Sequence, residues 1–224
     1  MRFEILHRDE LPEGGFAGLR EHQLVMEPRA FGPSRAWKGI GDFIYLADAR
    51  FMPRGETHLH NHHEVDVISV VLKGRIAHEG SLGHGENLEA PAIQVQRAGG
   101  EGFAHNEVNP DDEWNRMLQI WVLPETPGQP AGYKVYRPEA STTTRVYGGS
   151  GNGGDTFESH TIVDVAEIGV AESFTIEGDY MAYLAKGTGV ANGELVTDGD
   201  LLRGTDLDLK VEEDVQLVVI QTID

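Results

Sequence analysis

Two short stretches of the sequence carry side chains that can ligate a metal ion. The first is the run HLHNHH, which begins at His58, and the second contains His105 and Glu107. Alternate side chains of an extended strand share a face, so His58, His60 and His62 are expected to point the same way, as are His105 and Glu107. Two such strands facing each other would bring three imidazoles and one carboxylate around a single ion.

The chain contains no cysteine, so a metal site must use nitrogen and oxygen ligands. Such ligands suit Fe(II), Mn(II), Ni(II) or Co(II), with Zn(II) and Cu(II) as alternatives. Three neutral imidazoles and one carboxylate leave a divalent ion with a net charge of about +1 and, at six-coordination, two open positions. Such a centre could hold water, or a substrate together with O₂.

The elements that must position these residues are predicted to be strands. Apolar residues recur with period two or in short β-branched runs, and 28 glycines supply turns between them. We find no amphipathic helix pattern longer than about two turns. The clearest predicted strands are residues 43–46, 65–72, 93–96, 117–123, 161–165 and 215–220.

A weak internal repeat and a glycine-rich segment indicate two domains. The run VLKG ends at Gly74 and LAKG ends at Gly187, and residues 141–155 between the two halves are interpreted as a loop or linker. We therefore predict an all-β protein of two tandem β-barrels, residues 1–140 and 141–224.

The repeat also gives an expectation for the second barrel. When Gly187 is aligned with Gly74, His60 and His62 correspond to Ser173 and Thr175. Neither is a strong metal ligand, so the C-terminal barrel is predicted to be metal-free.

At the level of motifs the sequence resembles the pirins, a family of the cupin superfamily. Counting back from Gly74, the family's His-x-His pair and following acidic residue match His60, His62 and Asp66, and its second motif matches the stretch AGGEGFAHNE, which begins at Ala98. The resemblance extends over residues 44–136. It implies a bicupin of two jelly-roll barrels, with one metal, usually iron, bound by His60, His62, His105 and Glu107.

The resemblance implies two alternative functions. Pirins with flavonol-cleaving activity are quercetin 2,3-dioxygenases, and by analogy Glu107 would take the proton of the substrate's 3-hydroxyl before ring opening releases carbon monoxide. The alternative is a non-enzymatic metalloprotein that senses redox state or a ligand and regulates a protein partner. A third hypothesis is that the altered residues around the site leave it empty and the natural substrate is different.

The charge distribution limits the kinds of partner. The net charge is −19, of which residues 150–224 contribute −13. Such a surface repels phosphates, which excludes nucleic-acid binding through a basic face. It is interpreted as a solvated face, with a basic protein partner as the alternative. Because no signal peptide or membrane-length apolar run is present, we expect a cytoplasmic protein, and we favour a monomer.

Several conspicuous residues receive structural interpretations. His58 is expected to be a neighbour or spare ligand, although it remains an alternative to one of the four. Trp121 and Phe103 are assigned to the barrel core, with the wall of a pocket as the alternative. Three further histidines, His78, His84 and His160, are assigned to hairpins or loops.

Overall fold

The computed structural model describes residues 2–83, 85–150 and 155–223. It divides into two compact units. One comprises Leu11–Arg137, and the other comprises the residues up to Glu10 together with those from Pro138 onward.

Strands dominate both units. The only helical elements among the described residues are a 3₁₀ turn at Arg8–Glu10 and the single-turn helix α1 at Pro28–Phe31. In chain order the strands are β1 (Glu4–His7), β2 (Glu13–Gly14), β3 (Leu19–Met26), β4 (Phe43–Phe51), β5 (His60–His62), β6 (Asp66–Lys73), β7 (Arg75–Gly80), β8 (Glu86–Glu89), β9 (Ile93–Arg97), β10 (Phe103–Val108), β11 (Arg116–Val122), β12 (Gly132–Tyr136), β13 (Thr143–Gly149), β14 (Ser159–Ile168), β15 (Ser173–Ala191), β16 (Glu194–Thr197) and β17 (Asp200–Thr222).

The unit Leu11–Arg137 consists of two antiparallel sheets of the cupin jelly-roll type. A seven-stranded sheet has the order β12-β9-β6-β11-β4-β3-β2, and a four-stranded sheet has the order β5-β10-β7-β8. Apolar side chains of both sheets meet in one buried cluster, in which Ile76 and Leu88 contact a set that includes Phe51, Val71 and Met117. Burial of each such side chain stabilises the fold by about 1.5–3 kcal/mol.

The C-terminal unit is built around two long strands. The order of its sheet is β13-β14-β17-β15-β16, and β1 also pairs with β17. Met181 of β15 pairs with both Arg203 and Ile220, so two parts of β17 flank the middle of β15. Fully buried side chains such as Tyr180 and Leu209 belong to the apolar cluster of this unit.

The first ten residues differ from the sequence-based division, which placed them with the N-terminal barrel. Strand β1 pairs with residues 200–203 of β17, and Phe3 and Ile5 pack on the C-terminal core. The boundary between the units lies at 137/138, whereas the expected boundary was 140/141.

The interpretation of residues 141–155 as a linker is wrong for the part that forms β13. This strand pairs with β14, and Val146 and Tyr147 are buried. A β-branched threonine run and two apolar residues favour a strand, and the neighbouring glycines obscure that signal. Residues 151–154 lie outside the described residues.

The predicted all-β fold is confirmed. Each of the six strands expected from periodicity lies within or closely overlaps an observed one, respectively β4, β6, β9, β11, β14 and β17. In the described chain, no helix has the length and apolarity needed to cross a membrane.

Candidate metal centre

Strand pairing brings the histidines of the two sequence motifs together. Strand β10 lies between β5 and β7, with His105 directly opposite His60 on β5 and opposite Gly80 on β7. A Cβ atom at Gly80 would lie 2.4 Å from the Ala104 carbonyl oxygen and 3.0 Å from the His105 Cα. Only glycine allows this close approach, so Gly80 helps to fix the position of His105.

The three imidazoles converge through their Nε2 atoms. The His105 Nε2 lies 3.0 Å from that of His60 and 3.2 Å from that of His62. One ligand atom from each of the three residues lies within 4.8 Å of the other two. Nitrogen ligands about 2.1 Å from a metal and at right angles to each other are separated by roughly 3.0 Å. The spacing therefore fits three neighbouring ligands of one ion.

The protonation of the rings also suits metal binding. The Nδ1–H of His60 donates to the His58 carbonyl oxygen at 2.8 Å, which directs the Nε2 lone pair of His60 toward the cluster. Burial, followed by the proximity of His60, lowers the pKa of His62 to about 4. Burial and the neighbouring imidazoles lower the pKa of His105 to about 2. Both rings are neutral at pH 7, as metal ligands must be.

Glu107 follows His105 by two residues on β10 and is fully buried. Its Oε1 accepts hydrogen bonds from Ser69 Oγ at 2.7 Å and from Gln94 Nε2 at 2.8 Å. Burial raises the pKa of Glu107 to about 7, although both hydrogen bonds favour the ionised form. Among the described residues, the group of mutually close ligand atoms contains the three histidines and not Glu107.

The histidines and Glu107 line one cavity of about 570 Å³. This volume is typical of pockets that hold small molecules. On one wall three aromatic rings pack together, with centroids 4.7 Å apart for Tyr45 and Trp121 and 5.4 Å apart for Phe31 and Tyr45. The same wall carries Glu21 and Gln23. The cavity therefore combines an aromatic wall, a candidate metal site and buried carboxyl groups.

Comparison with known proteins identifies the family. A sequence model of the family "Pirin" matches residues 28–122. A Pseudomonas aeruginosa protein named "Putative quercetin 2,3-dioxygenase PA1210" is 34% identical over 171 residues, which cover 73% of this chain and 69% of that protein. The chain belongs to the pirin family.

Further relatives agree with this assignment. The quercetin 2,3-dioxygenase of Escherichia coli K12 is 34% identical to this pirin over 82 residues, and the match covers only about a third of each protein, 36% and 35%. The crystal structure of the Escherichia coli pirin YhhW in complex with nickel(II) superposes with a TM-score of 0.85, at 18% identity and with 98% of each chain covered. That structural likeness supports the cupin fold.

His58 does not share the face of His60 and His62, which corrects the expectation from strand alternation. The backbone of His58 has a φ of 62°, and β5 begins only at His60. Its ring is exposed and lies 3.5 Å from the Glu56 carboxylate. A left-handed residue breaks the two-residue period, so the three histidines cannot continue one strand.

His78 lies in the hairpin formed by β7 and β8, as the sequence-based interpretation expected. It is completely buried in β7, where Nδ1–H donates to the Gly83 carbonyl oxygen at 3.1 Å and Nε2 accepts from Gln96 at 3.1 Å. Its ring centroid lies 5.5 Å from that of His105. His160 is exposed on β14, and His84 lies outside the described residues.

The sequence interpretation missed part of the cavity wall. Trp121 lines the cavity and contacts the His62 ring, which is the alternative given for it, and Phe103 is buried as expected of a core residue. Glu21 and Tyr45 were not singled out. The one available signal was a carboxylate two residues after the apolar Leu19, in phase with the buried face of β3.

Proposed function

We propose that this pirin is a metal-dependent dioxygenase that opens the oxygen-containing ring of a quercetin-type flavonol. The observation that supports the proposal most strongly is the convergence of three Nε2 atoms on the wall of an aromatic-lined cavity. The names of the relatives from Pseudomonas aeruginosa and Escherichia coli agree with this chemistry.

We assign the metal to His60, His62 and His105, with Glu107 as the fourth ligand. Fe(II) is the proposed metal, and Ni(II) is the first alternative because YhhW has been solved with nickel(II). A bound divalent ion would act as a Lewis acid that lowers the pKa of a substrate hydroxyl.

Glu107 is also the proposed proton acceptor. Burial raises the pKa of Glu107 to about 7 in the metal-free protein, which favours uptake of a proton by this carboxylate, and a bound cation would lower that pKa. Both hydrogen-bond donors, Ser69 and Gln94, contact Oε1. We therefore assign Oε2 to the proton of the substrate's 3-hydroxyl. The donors fix the orientation of the carboxylate.

The aromatic wall would position the planar substrate. The rings of Phe31, Tyr45 and Trp121 lie within 5.8 Å of one another, and they offer an apolar surface on which a flavonol can pack. Packing of the ligand there would also displace water from the reacting centre.

The test is metal analysis combined with aerobic quercetin consumption, on protein purified without a polyhistidine tag. We expect stoichiometric metal and metal-dependent bleaching, both lost in His60→Ala and His105→Ala. Glu107→Ala should lose turnover. The matched control is His58→Ala, which removes an exposed imidazole two residues from His60 and should retain both properties. Full metal loading without turnover would refute the enzymatic proposal and favour a sensor.

A further inference from the structure

A second polar group lies in the same cavity, on the sheet opposite the histidines. Glu21 on β3 is only 8% exposed and lines the cavity. Its Oε2 accepts from the Tyr45 hydroxyl at 3.1 Å, and its Oε1 accepts from Gln23 Nε2 at 2.9 Å. Gln23 is 3.4 Å from the Tyr45 oxygen, so the three side chains form one connected group.

The hydrogen-bonding capacity of Glu21 is only partly used. An ionised carboxylate offers about four acceptor positions, and the two donors occupy two of them. Both donors are neutral, and Glu21 forms no ion pair with the described residues. A buried carboxylate is costly when it lacks donors, so a ligand that supplies one would be favoured here.

The position of Glu21 indicates the length of such a ligand. Strand β3 is three strands away from β6, which carries Ser69, the donor to Glu107. Three strand spacings are about 14 Å between backbones, and the side chains shorten the gap. A single ring cannot span this distance, whereas a flavonol, with three rings, is of the right size.

Chemical character favours a phenolic hydroxyl over an amine or a second metal. The hydroxyl of Tyr45 already donates to Glu21, and the Tyr45 ring belongs to the aromatic wall. A ligand ring lying against Phe31 and Trp121 would present its own edge hydroxyl to the same carboxylate. Hydrogen bonds from a hydroxyl to a carboxylate are stronger than neutral ones, so this contact can discriminate between ligands.

We propose that Glu21, held by Gln23 and Tyr45, is a specificity-determining residue that accepts a hydrogen bond from a hydroxyl on the substrate ring remote from the metal. The inference rests on the proposed function for the position of the substrate. It adds a preference for flavonols hydroxylated at both ends.

The experiment compares two flavonols that differ only in this ring, quercetin with two hydroxyls and galangin with none. Binding to the metal-loaded protein is measured by fluorescence titration under anaerobic conditions, so that turnover does not interfere. We expect Glu21→Gln to weaken quercetin binding tenfold to a hundredfold and to change galangin binding less than threefold. Tyr45→Phe should produce a smaller loss, again for quercetin alone. Glu89→Gln, which alters an exposed glutamate on β8, should change neither.

The outcomes separate this inference from the dioxygenase proposal. If quercetin binds more tightly than galangin, the difference depends on Glu21 and no turnover occurs, the dioxygenase proposal is refuted and the recognition role of Glu21 is supported. Equal weakening of both flavonols assigns Glu21 a structural role and overturns the inference, as does binding of neither flavonol to the wild type. If a thermal unfolding measurement shows that Glu21→Gln is not folded, the test uses Tyr45→Phe instead. An unchanged quercetin affinity in Tyr45→Phe then overturns the inference.

Discussion

Removal of the Ser69 hydroxyl should raise the pKa of Glu107 further. Ser69 Oγ donates to Glu107 Oε1 at 2.7 Å in a completely buried environment. A hydrogen bond to a charged group stabilises the ionised form by about 1.5–3 kcal/mol, and one pKa unit corresponds to about 1.4 kcal/mol. Ser69→Ala therefore raises the pKa by about one to two units from its value of about 7. Gln94 remains as the second donor.

The measurement is an NMR titration of the glutamate carboxyl carbons in metal-free protein, because a bound cation would itself lower the pKa of Glu107. At pH 7 the ionised fraction should fall from about one half to about one tenth or less. Ser173→Ala, an exposed serine in the C-terminal unit, serves as the matched control. An unchanged or lower pKa in Ser69→Ala would refute the assignment of Ser69 as a donor to the carboxylate.

Three further predictions concern the same centre. In metal-free protein the pKa of Glu107 is raised from 4.5 to about 7, so folding favours its protonated form and the stability of the protein falls as pH rises through that interval. Glu107→Gln should remove this loss of stability, which is about 3 kcal/mol at most. Urea unfolding should show the difference at pH 8 and no difference near pH 4. Because the pKa values of His62 and His105 are lowered to about 4 and 2, protons compete weakly for both ligands, and metal should remain bound at pH 5.5 in metal analysis after gel filtration; half-release above pH 6.5 would contradict this. Gly80→Ala should weaken metal binding at least tenfold in a chelator competition, whereas Gly14→Ala, whose new Cβ would lie 3.8 Å from its nearest neighbour, should not.

The histidine cluster was predictable because its signal is local. His60 and His62 are two residues apart on one strand, and the two-residue period places them on one face whatever the rest of the fold. The prediction that His105 joins the cluster required the further assumption that the second motif pairs with the first. The β5–β10 register provides that pairing.

Other features depend on information that periodicity does not contain. A single left-handed residue at His58 changes the phase of the strand, and no residue type there signals it. Strand β1 pairs with β17 nearly two hundred residues later in the sequence, and alternation says nothing about which partner a strand selects. His78 alternates correctly with Ile76 in β7, but its short hairpin context concealed its burial.

The two sheets of the N-terminal unit make different contributions to the cavity, and this has a consequence for substrate selection. The histidines all come from the four-stranded sheet, whereas Glu21, Tyr45 and Trp121 come from the seven-stranded sheet. The strands β3, β4 and β11 lie outside the β5–β10 pair that carries the three histidines. The match to the family model, residues 28–122, includes β5 and β10 but not β3. If Glu21 has the proposed recognition role, chains with the same histidine motif and a different residue at this position should prefer different ligands.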